Sequence, residues 1–315
     1  MAAIVKTEEI IHNFIDDDVL SFEAVGEGHI NDTYVVTSAA GKFICQRVKG
    51  SMDAGKLLHN FELYSEAFRA ERLFFPDWIR NREGKYFLTD DNGDNWRMYP
   101  LIDGDILSAP LEEEILYACG EGLAKMHMVL GRMKGKPEAV YSGLRNLKFF
   151  YDEYSKVLSG VGLVEERRDR ELEAIIESKV AAMLEVVPAE QAPVHGDPKL
   201  SNILFRNGKV IGFIDMDTVM LSSKLEDLAD CIRSCCVTDG RLDKEAAQRI
   251  ADGYASTIGT AVAPTELKRA FDKICFELAI RYYTDVVSGT GHFKEHYSGY
   301  RLEKARTLIN TTWDK

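Results

Sequence analysis

The feature that most constrains this chain is a polar loop followed at once by a predicted hairpin. The loop, residues 195–202, reads HGDPKLSN. Two apolar runs follow, Ile203–Phe205 and Val210–Ile214, with Asn207 and Gly208 between them. Asn-Gly between apolar runs favours a two-residue hairpin turn. Such a hairpin brings the residue before its first strand close to the residue after its second strand.

Asn202 and Asp215 are the residues that this hairpin would bring together. Amide and carboxylate oxygens suit Mg²⁺, which is a hard cation. Asp197 precedes Asn202 by five residues, and an aspartate, an asparagine and a second aspartate in this order and spacing are typical of the phosphoryl-transfer site of protein kinases. The sequence therefore predicts Asn202 and Asp215 as metal ligands and Asp197 as the base that accepts a hydroxyl proton.

Lys199 lies between the predicted base and the predicted metal ligand. Phosphoryl transfer depends on positioning and charge neutralisation, so we expect the Lys199 ammonium to approach the transferring phosphate. An ordinary turn is the alternative interpretation of the loop, because Gly, Asp and Pro all favour turns. The adjoining hairpin and the second aspartate favour the catalytic interpretation.

A glycine-containing loop lies near the N-terminus, between the β-rich runs Phe22–Val25 and Thr33–Thr37. A strand, a glycine loop and a second strand are typical of the loop that covers ATP phosphates in kinases. Asparagine stands where a third glycine is usual, and asparagine tolerates positive φ. A plain structural turn is the alternative. The residues predicted to contact the nucleotide here are Gly26, Gly28, His29 and Asn31.

The third predicted strand, Lys42–Val48, is where a kinase carries the cation that binds the α and β phosphates. Arg47 is the candidate for that cation, and a shift of register by one residue would put Gln46 in its place. If Arg47 points away from the phosphates, it is a surface charge. A helix predicted over residues 54–70 carries two candidate partners for the cation, which are otherwise solvated: Glu62 and Glu66.

The chain changes character at residues 100–104, where Pro and Gly interrupt the strand pattern. Helices are predicted beyond this point, including Leu111–Leu130 and Glu165–Val187. We therefore predict an α+β, bilobal, protein-kinase-like fold. Its parts are a small β-rich, nucleotide-binding N-lobe at 1–99, a hinge at 100–104, and a larger, mainly helical C-lobe at 105–315 that holds the catalytic and acceptor-binding residues. The residues beside the hinge that are predicted to bind the nucleotide are Tyr99 and Leu101.

The composition of the chain excludes several classes of partner. Lys and Arg number 39 against 51 Asp and Glu, which gives a formal net charge of −12 and argues against a general nucleic-acid binder. The sequence has no apolar run of about 18 residues and no signal-peptide pattern, so we expect a cytoplasmic protein with no membrane partner. The six cysteines lack the spacings of a disulfide framework. Cys231 and Cys235 are four apart, and we interpret them as small buried residues rather than metal ligands.

Together, these features make the chain similar to the aminoglycoside phosphotransferase and choline kinase superfamily of small-molecule kinases. The resemblance covers nearly the whole sequence, and it includes the His-Gly-Asp loop and the Asp215-Met216-Asp217 segment. It implies ATP and Mg²⁺ as cofactors and a hydroxyl group of a small molecule as the phosphate acceptor.

Within that superfamily the chain most resembles the N-acetylhexosamine 1-kinase group. The similar segments are 26–34, 215–220, 225–233, 281–285 and 292–294. In the third of these, Ala229 replaces a glycine, and Glu226 and Leu228 replace aromatic residues. The resemblance implies phosphorylation of the anomeric hydroxyl of an N-acetylhexosamine, which gives a sugar 1-phosphate.

Several polar residues near the predicted base are candidates for sugar contacts. Each of them has a structural alternative; Asp227 and Arg233, for example, could instead tie the catalytic loop to a helix. The candidates are Asp217, Asp230, Arg233, Arg281 and Asp285.

Other functions remain open at this stage. Choline, an aminoglycoside or homoserine could be the acceptor of the same kinase chemistry, and a non-catalytic ATP-binding module could share the fold. His292 and His296 also match the H-x-x-E-H pattern of inverted zinc peptidases, so a zinc hydrolase is a further alternative. The sequence predicts no oligomeric state.

Overall fold

The computed structural model describes residues 2–25, 32–48, 52–71, 73–186 and 190–314. The nucleotide contacts predicted at Gly26, Gly28, His29 and Asn31 lie outside the described residues. None of the helices within these ranges is long and apolar enough to cross a membrane.

The first third of the chain forms a five-stranded antiparallel sheet with a helix on each side. The elements are α1 (Ala2–His12), β1 (Val19–Ala24), β2 (Asp32–Ser38), β3 (Gly41–Val48), α2 (Ala54–Arg69), β4 (Leu88–Thr89) and β5 (Asn95–Pro100). The strands pair in the order β1-β2-β3-β5-β4. Asp53 caps the start of α2, because its side chain accepts a hydrogen bond from the Lys56 amide at 3.1 Å.

The alternation of β3 decides which residues face the rest of the molecule. Ile44 and Val48 belong to the main hydrophobic core, whereas Cys45 packs with α1 on the other face. Arg47 shares the face of Cys45 and forms ion pairs there with Asp32 and Asp94. Alternate strand residues point to opposite faces, so Arg47 points away from the face of Ile44, Gln46 and Val48. The prediction that Arg47 is the cation that binds the α and β phosphates is therefore corrected.

Most of the remaining chain is helical. The helix predicted over Leu111–Leu130 is confirmed, while the one predicted over Glu165–Val187 is divided into a 3₁₀ turn, Glu165–Arg167, and a shorter α-helix. The elements are α3 (Glu113–Leu130), α4 (Leu147–Leu158), α5 (Arg170–Leu184), β6 (Ala192–Val194), β7 (Ile203–Arg206), β8 (Lys209–Phe213), β9 (Met220–Ser222), α6 (Lys224–Cys236), β10 (Val237–Thr238), β11 (Arg241–Leu242), α7 (Lys244–Ile258), α8 (Pro264–Ser288) and α9 (Tyr300–Asn310).

Helices α3 and α7 lie so close together that only glycine fits at two positions. A Cβ atom on Gly120 would lie 2.0 Å from the Ile250 carbonyl oxygen, and one on Gly253 would lie 2.1 Å from the Tyr117 carbonyl oxygen. The absence of side chains at these two positions therefore sets the distance between the helices.

The predicted hairpin is confirmed as β7 and β8. Asn207 and Gly208 both have positive φ, 51° and 72°, which is the conformation of a type I′ turn. Two other segments flank the hairpin: Phe74 bridges to Gly212 on the β8 side, and Asp105 bridges to Phe205 on the β7 side. The hairpin is thus held between a segment that follows α2 and a segment that follows β5.

Candidate active site

The catalytic loop begins where β6 ends and is held by one carboxylate. Asp227, in the first turn of α6, accepts hydrogen bonds from the amides of His195 at 2.9 Å and Gly196 at 3.0 Å. The His127 ring on α3 contacts the same carboxylate at 3.1 Å. Asp227 is fully buried, so the structural alternative considered for it, a tie between loop and helix, is confirmed.

Gly196 has a conformation that other residues rarely adopt. Its φ is +87°, and a Cβ atom at this position would lie 2.4 Å from the Thr218 carbonyl oxygen. The Thr218 hydroxyl donates a hydrogen bond to the His195 carbonyl at 2.8 Å. Glycine therefore allows the loop to lie directly against the segment that follows β8.

Asp197, Lys199 and Asn202 converge at the end of this loop. The Lys199 ammonium lies 2.6 Å from Asp197 Oδ2, and the Asn202 amide nitrogen donates to the Asp197 backbone carbonyl at 2.9 Å and to Asp197 Oδ2 at 3.3 Å. Burial lowers the pKa of Lys199, but the carboxylates of Asp197 and Asp215 outweigh it and hold the pKa above its ordinary value. Asp197 is thus oriented by two neighbours that contact the same carboxylate oxygen.

Asp215 lies two residues beyond the end of β8 in a left-handed conformation, with φ 60° and ψ 49°. The Ile214 amide donates to the Asn202 carbonyl at 3.0 Å, so the two predicted metal ligands are neighbours across the hairpin. Burial, followed by the charge of Asp217, raises the pKa of Asp215. No group among the described residues donates a hydrogen bond to the Asp215 carboxylate.

The donor set fits a hard cation such as Mg²⁺. Asn202 uses its amide nitrogen on Asp197, which leaves its Oδ1 oxygen available, and the Asp215 carboxylate has no donor from the described part of the chain. Two oxygen donors at the two ends of one hairpin, completed by phosphate oxygens and water, are what Mg²⁺ binds.

Asp217 lies in an ion pair rather than toward an acceptor. Its carboxylate accepts two hydrogen bonds from Arg97 of β5, at 2.5 and 2.8 Å, and both side chains are buried. The Arg97 guanidinium also donates to Gln46 at 2.9 and 3.2 Å and stacks 4.7 Å from the Trp78 ring centre. The predicted sugar contact at Asp217 is therefore corrected.

Asp230 is also committed to protein partners. It accepts from Arg145 at 2.8 Å and from Arg233 at 2.7 Å. Burial raises its pKa, but the charges of Arg233 and Arg145 outweigh it and hold the pKa below the ordinary value. Arg145 in turn donates to the Gly196 carbonyl at 2.9 Å. Asp230 and Arg233 thus brace the catalytic loop, which corrects the prediction that Asp230 contacts the acceptor.

Arg281 of α8 is a cation with aromatic neighbours. Its guanidinium carbon lies 4.8 Å from the Phe150 ring centre and 5.5 Å from that of Phe293, and it forms no ion pair within the described ranges. Burial lowers its pKa, while the charges of Glu277, Asp197 and Asp230 act in the opposite direction. Of the predicted sugar contacts, Arg281 retains the most free donor capacity.

Asp285 anchors a loop instead of binding a small molecule. Its carboxylate accepts from the amides of His292 at 2.7 Å and Phe293 at 3.0 Å, from the Thr290 hydroxyl at 2.8 Å, and from Arg301 at 2.8 Å. These contacts satisfy a carboxylate that is 1% exposed. The prediction of a sugar contact at Asp285 is corrected accordingly.

The zinc alternative has no structural support. Residues 289–299, which contain His292 and His296, form no helix, so the two imidazoles do not share a helical face. The described residues also contain no group of three His, Cys, Asp or Glu side chains that could hold a metal ion.

The remaining predicted nucleotide contacts lie along β5 and beyond it. Tyr99 is 7% exposed and pairs with Ile44, so it lies on the face that carries Gln46. Leu101 is 39% exposed, and its amide donates to the Lys42 carbonyl at 2.9 Å. Their contact with a nucleotide stays a prediction.

Two residues of the site were not predicted from the sequence. Arg97 is a charged residue in an otherwise apolar strand, Trp96 to Tyr99, and a charge at an inward position is the signal that would have found it. Arg145 has a positive φ of 59° in an irregular loop, and no local pattern of the sequence indicates its role.

Comparison with known proteins identifies related chains. The model of a family described as "Phosphotransferase enzyme family" matches residues 21–263. Among solved structures, the GDP complex of aminoglycoside 2'-phosphotransferase-IIIa superposes with a TM-score of 0.70 at 15% identity, covering 97% of this chain and 98% of that one.

Two further solved structures are similar over nearly their whole length. Amicoumacin kinase hAmiN, in complex with AMP-PNP, Ca²⁺ and Ami, has a TM-score of 0.70 at 10% identity and covers 98% of this chain and 96% of its own. Choline kinase LicA from Streptococcus pneumoniae has a TM-score of 0.67 at 12% identity and covers 99% of each chain. At these identities the likeness concerns the fold, and it confirms the predicted α+β, protein-kinase-like architecture.

Proposed function

The chain belongs to the phosphotransferase enzyme family, and from this premise we propose that it transfers the γ-phosphoryl group of ATP to a hydroxyl group of a small molecule, with Asp197 as the base. The observation that carries the proposal is the convergence of Asp197, Lys199 and Asn202 at one loop end, beside Asp215, which follows β8. These are the side chains that phosphoryl transfer requires.

Each side chain has a distinct role in this mechanism. Asp197 accepts the proton of the acceptor hydroxyl, and its orientation is fixed by Asn202. Lys199 holds a positive charge beside the reacting atoms and can move from Asp197 to a phosphate oxygen. Mg²⁺, held by Asn202 and Asp215, would neutralise the charge of the phosphates when bound.

Substitution of the base tests this mechanism. We expect Asp197→Asn to lower kcat by about 10²–10⁴-fold, since this is the usual contribution of a general base, while nucleotide binding measured by calorimetry is retained. Asp17→Asn, which changes an exposed aspartate near the N-terminus, is the matched control and should leave both quantities unchanged. Full turnover by Asp197→Asn would remove Asp197 as the base.

For the acceptor, we propose the anomeric hydroxyl of an N-acetylhexosamine. The charges around Asp197 support a neutral acceptor over a cationic one, because Asp230 and Asp285 already have arginine partners. Arg281, in contrast, has free donors that a sugar hydroxyl or an acetamido carbonyl can accept. A hemiacetal hydroxyl is also more acidic than an ordinary alcohol, so a carboxylate suffices as its base.

An acceptor screen tests this assignment. ADP release with Mg²⁺-ATP would be measured over N-acetylglucosamine, N-acetylgalactosamine, other hexoses, homoserine, choline and aminoglycosides, and the product identified by ³¹P NMR. We expect turnover with the N-acetylhexosamines and an acid-labile 1-phosphate. Turnover with choline or aminoglycosides alone would contradict the sugar assignment and leave the kinase chemistry in place.

A further inference from the structure

The direction of the Asp215 carboxylate is set by its backbone. No described group donates to that carboxylate, and the residue adopts a left-handed conformation that costs a non-glycine residue about 1–2 kcal/mol. A strained conformation persists only where the surrounding structure holds it. The support must therefore come from the residues on either side of Asp215.

That support is concentrated in the 3₁₀ turn that follows, Met216–Thr218. On one side, the Thr218 hydroxyl donates to the catalytic loop at the His195 carbonyl. On the other side, Asp217 is bound by both terminal nitrogens of Arg97. The turn is thus fastened to the C-terminal part of the chain by Thr218 and to the sheet by Asp217.

Arg97 is itself held in one orientation. Gln46, its partner across β3 and β5, accepts from two of its nitrogens, and the Trp78 ring packs against its plane. Arginine binds a carboxylate through a planar fork, so the orientation of the guanidinium dictates the orientation of Asp217.

The charge of Arg97 has a second effect. Without this positive charge, the buried Asp217 carboxylate would repel the Asp215 carboxylate, two residues away, and compete with it for a cation. In protein kinases the cation of the sheet pairs with a glutamate of the following helix. Here both candidate glutamates of α2, Glu62 and Glu66, are exposed, and the buried cation pairs with the metal-binding segment instead.

We propose that Arg97 is a positioning residue for the metal site, which acts through Asp217 to fix the direction of the Asp215 carboxylate. The proposal rests on the proposed function, because it takes Asp215 as a metal ligand. Through Arg97 the sheet would contribute to metal binding independently of any contact with the nucleotide.

A double substitution separates positioning from stability. Arg97→Met combined with Asp217→Leu replaces the ion pair by apolar side chains of similar size, an exchange that often leaves stability unchanged or improved. Mn²⁺ binding to the protein with AMP-PNP would be measured by electron paramagnetic resonance, and folding by the thermal midpoint. We expect a folded protein whose Mn²⁺ affinity is about 10–100-fold weaker, as for other residues that orient metal ligands.

Two further variants complete the test. Arg97→Lys retains the charge without the fork, and we expect it to recover only part of the Mn²⁺ affinity. Arg168→Met with Glu173→Leu removes another pair in which two arginine nitrogens bind one carboxylate, at 2.7 and 2.9 Å, and should leave Mn²⁺ binding unchanged.

Two results would overturn the proposal. Wild-type Mn²⁺ affinity in the folded Arg97→Met/Asp217→Leu variant would show that the pair serves folding alone. Unchanged affinity in Asp215→Asn would instead show that Asp215 is not a ligand, which would remove the metal site of the proposed function and the role of Arg97 with it.

Discussion

Gly196 is the residue at which the proposed catalysis depends most directly on backbone conformation. An alanine there would combine a positive φ with a Cβ atom 2.4 Å from the Thr218 carbonyl oxygen. We expect Gly196→Ala to destabilise the protein by about 2–4 kcal/mol and to abolish turnover, because the loop must move away from Thr218. Urea denaturation and ADP release would measure the two effects.

Gly84 provides the matched control for this substitution. It has a φ of +77°, and a Cβ atom at this position would have no heavy atom within 4 Å. Gly84→Ala should cost only the conformational strain, about 1 kcal/mol, and retain activity. Equal losses of stability in the two variants would contradict the clash with Thr218.

Glu277 is a buried carboxyl group whose Oε2 atom has no hydrogen-bond partner within the described part of the chain. Burial, offset in part by Arg281, Arg145 and Lys273 and reinforced by Glu226, raises its pKa to about 7. The folded protein therefore keeps a proton that the unfolded chain loses above about pH 4.5.

This shift predicts a loss of stability as the pH rises. The stabilisation is fully present below the unfolded pKa and is lost between about pH 4.5 and pH 7. Glu277→Gln removes this dependence, so its thermal midpoint should rise relative to wild type over that range. Glu173 should show the opposite sign and a lower pH range: Arg168 lowers its pKa, so its stabilisation is present above about pH 4.5 and is lost as the pH falls further, a dependence that Glu173→Gln removes. If the thermal midpoints of wild type and Glu277→Gln changed in parallel with pH, this would contradict the raised pKa of Glu277.

At the level of single residues, the sequence predicted the catalytic loop better than the acceptor contacts. Asp197 and Asn202 follow from a local spacing, and the structure brings them together. Asp230 and Asp285 were interpreted as acceptor contacts because both are charged residues within the helical part. Arg233 is three residues from Asp230 on the same helix, but Arg145 and Arg301 are distant in sequence or lie on another helix, so their pairing follows only from the fold.

At the level of elements, the contact between α3 and α7 leaves no space for a side chain at position 120. Gly120→Ala places a methyl group against the Ile250 carbonyl, and we expect a loss of about 1–3 kcal/mol from overpacking. Gly131→Ala, at the end of the same helix with φ −64°, should change stability by less than about 1 kcal/mol. Thermal denaturation of both variants measures the difference, and a neutral Gly120→Ala would show that the helices can separate freely.

The elements also show where pattern analysis succeeds and where it fails. The hairpin was predictable because Asn207 and Gly208 specify both its turn and its register. The orientation of β3 was not, because alternation left two registers that differ by one residue and exchange Gln46 with Arg47. The deciding contact, between Gln46 and Arg97, joins strands that are far apart in the sequence.

At the level of the whole molecule, one hydrophobic core runs through both the sheet and the helices. It includes Ile44 and Val48 of β3 together with residues of α3, α6, α7 and α8. All six cysteines are buried, and Cys45 lies in the sheet while the other five lie in helices. The reactivity of these thiols therefore reports on the unfolding of the sheet and of the helices in a single experiment.

We expect the two parts to unfold together. All six thiols are buried, and burial raises the pKa of Cys45 to about 12. Because alkylation needs an accessible thiolate, the native protein should react with no thiol reagent. Pulse alkylation in increasing urea, followed by mass spectrometry, should give only unlabelled and fully labelled protein. A species labelled at Cys45 alone would show that the sheet unfolds separately.

The β7–β8 hairpin is contacted on one side by Phe74 and on the other by Asp105, so the sheet is joined to the helical part along the hairpin that carries Asn202 and Asp215. A rotation of one part against the other would then have its axis close to those two predicted ligands. Such a rotation would move the residues nearest the hairpin, including Asn202 and Asp215, by the smallest distance. The position of Asn202 relative to Asp215 would therefore be conserved during such a movement.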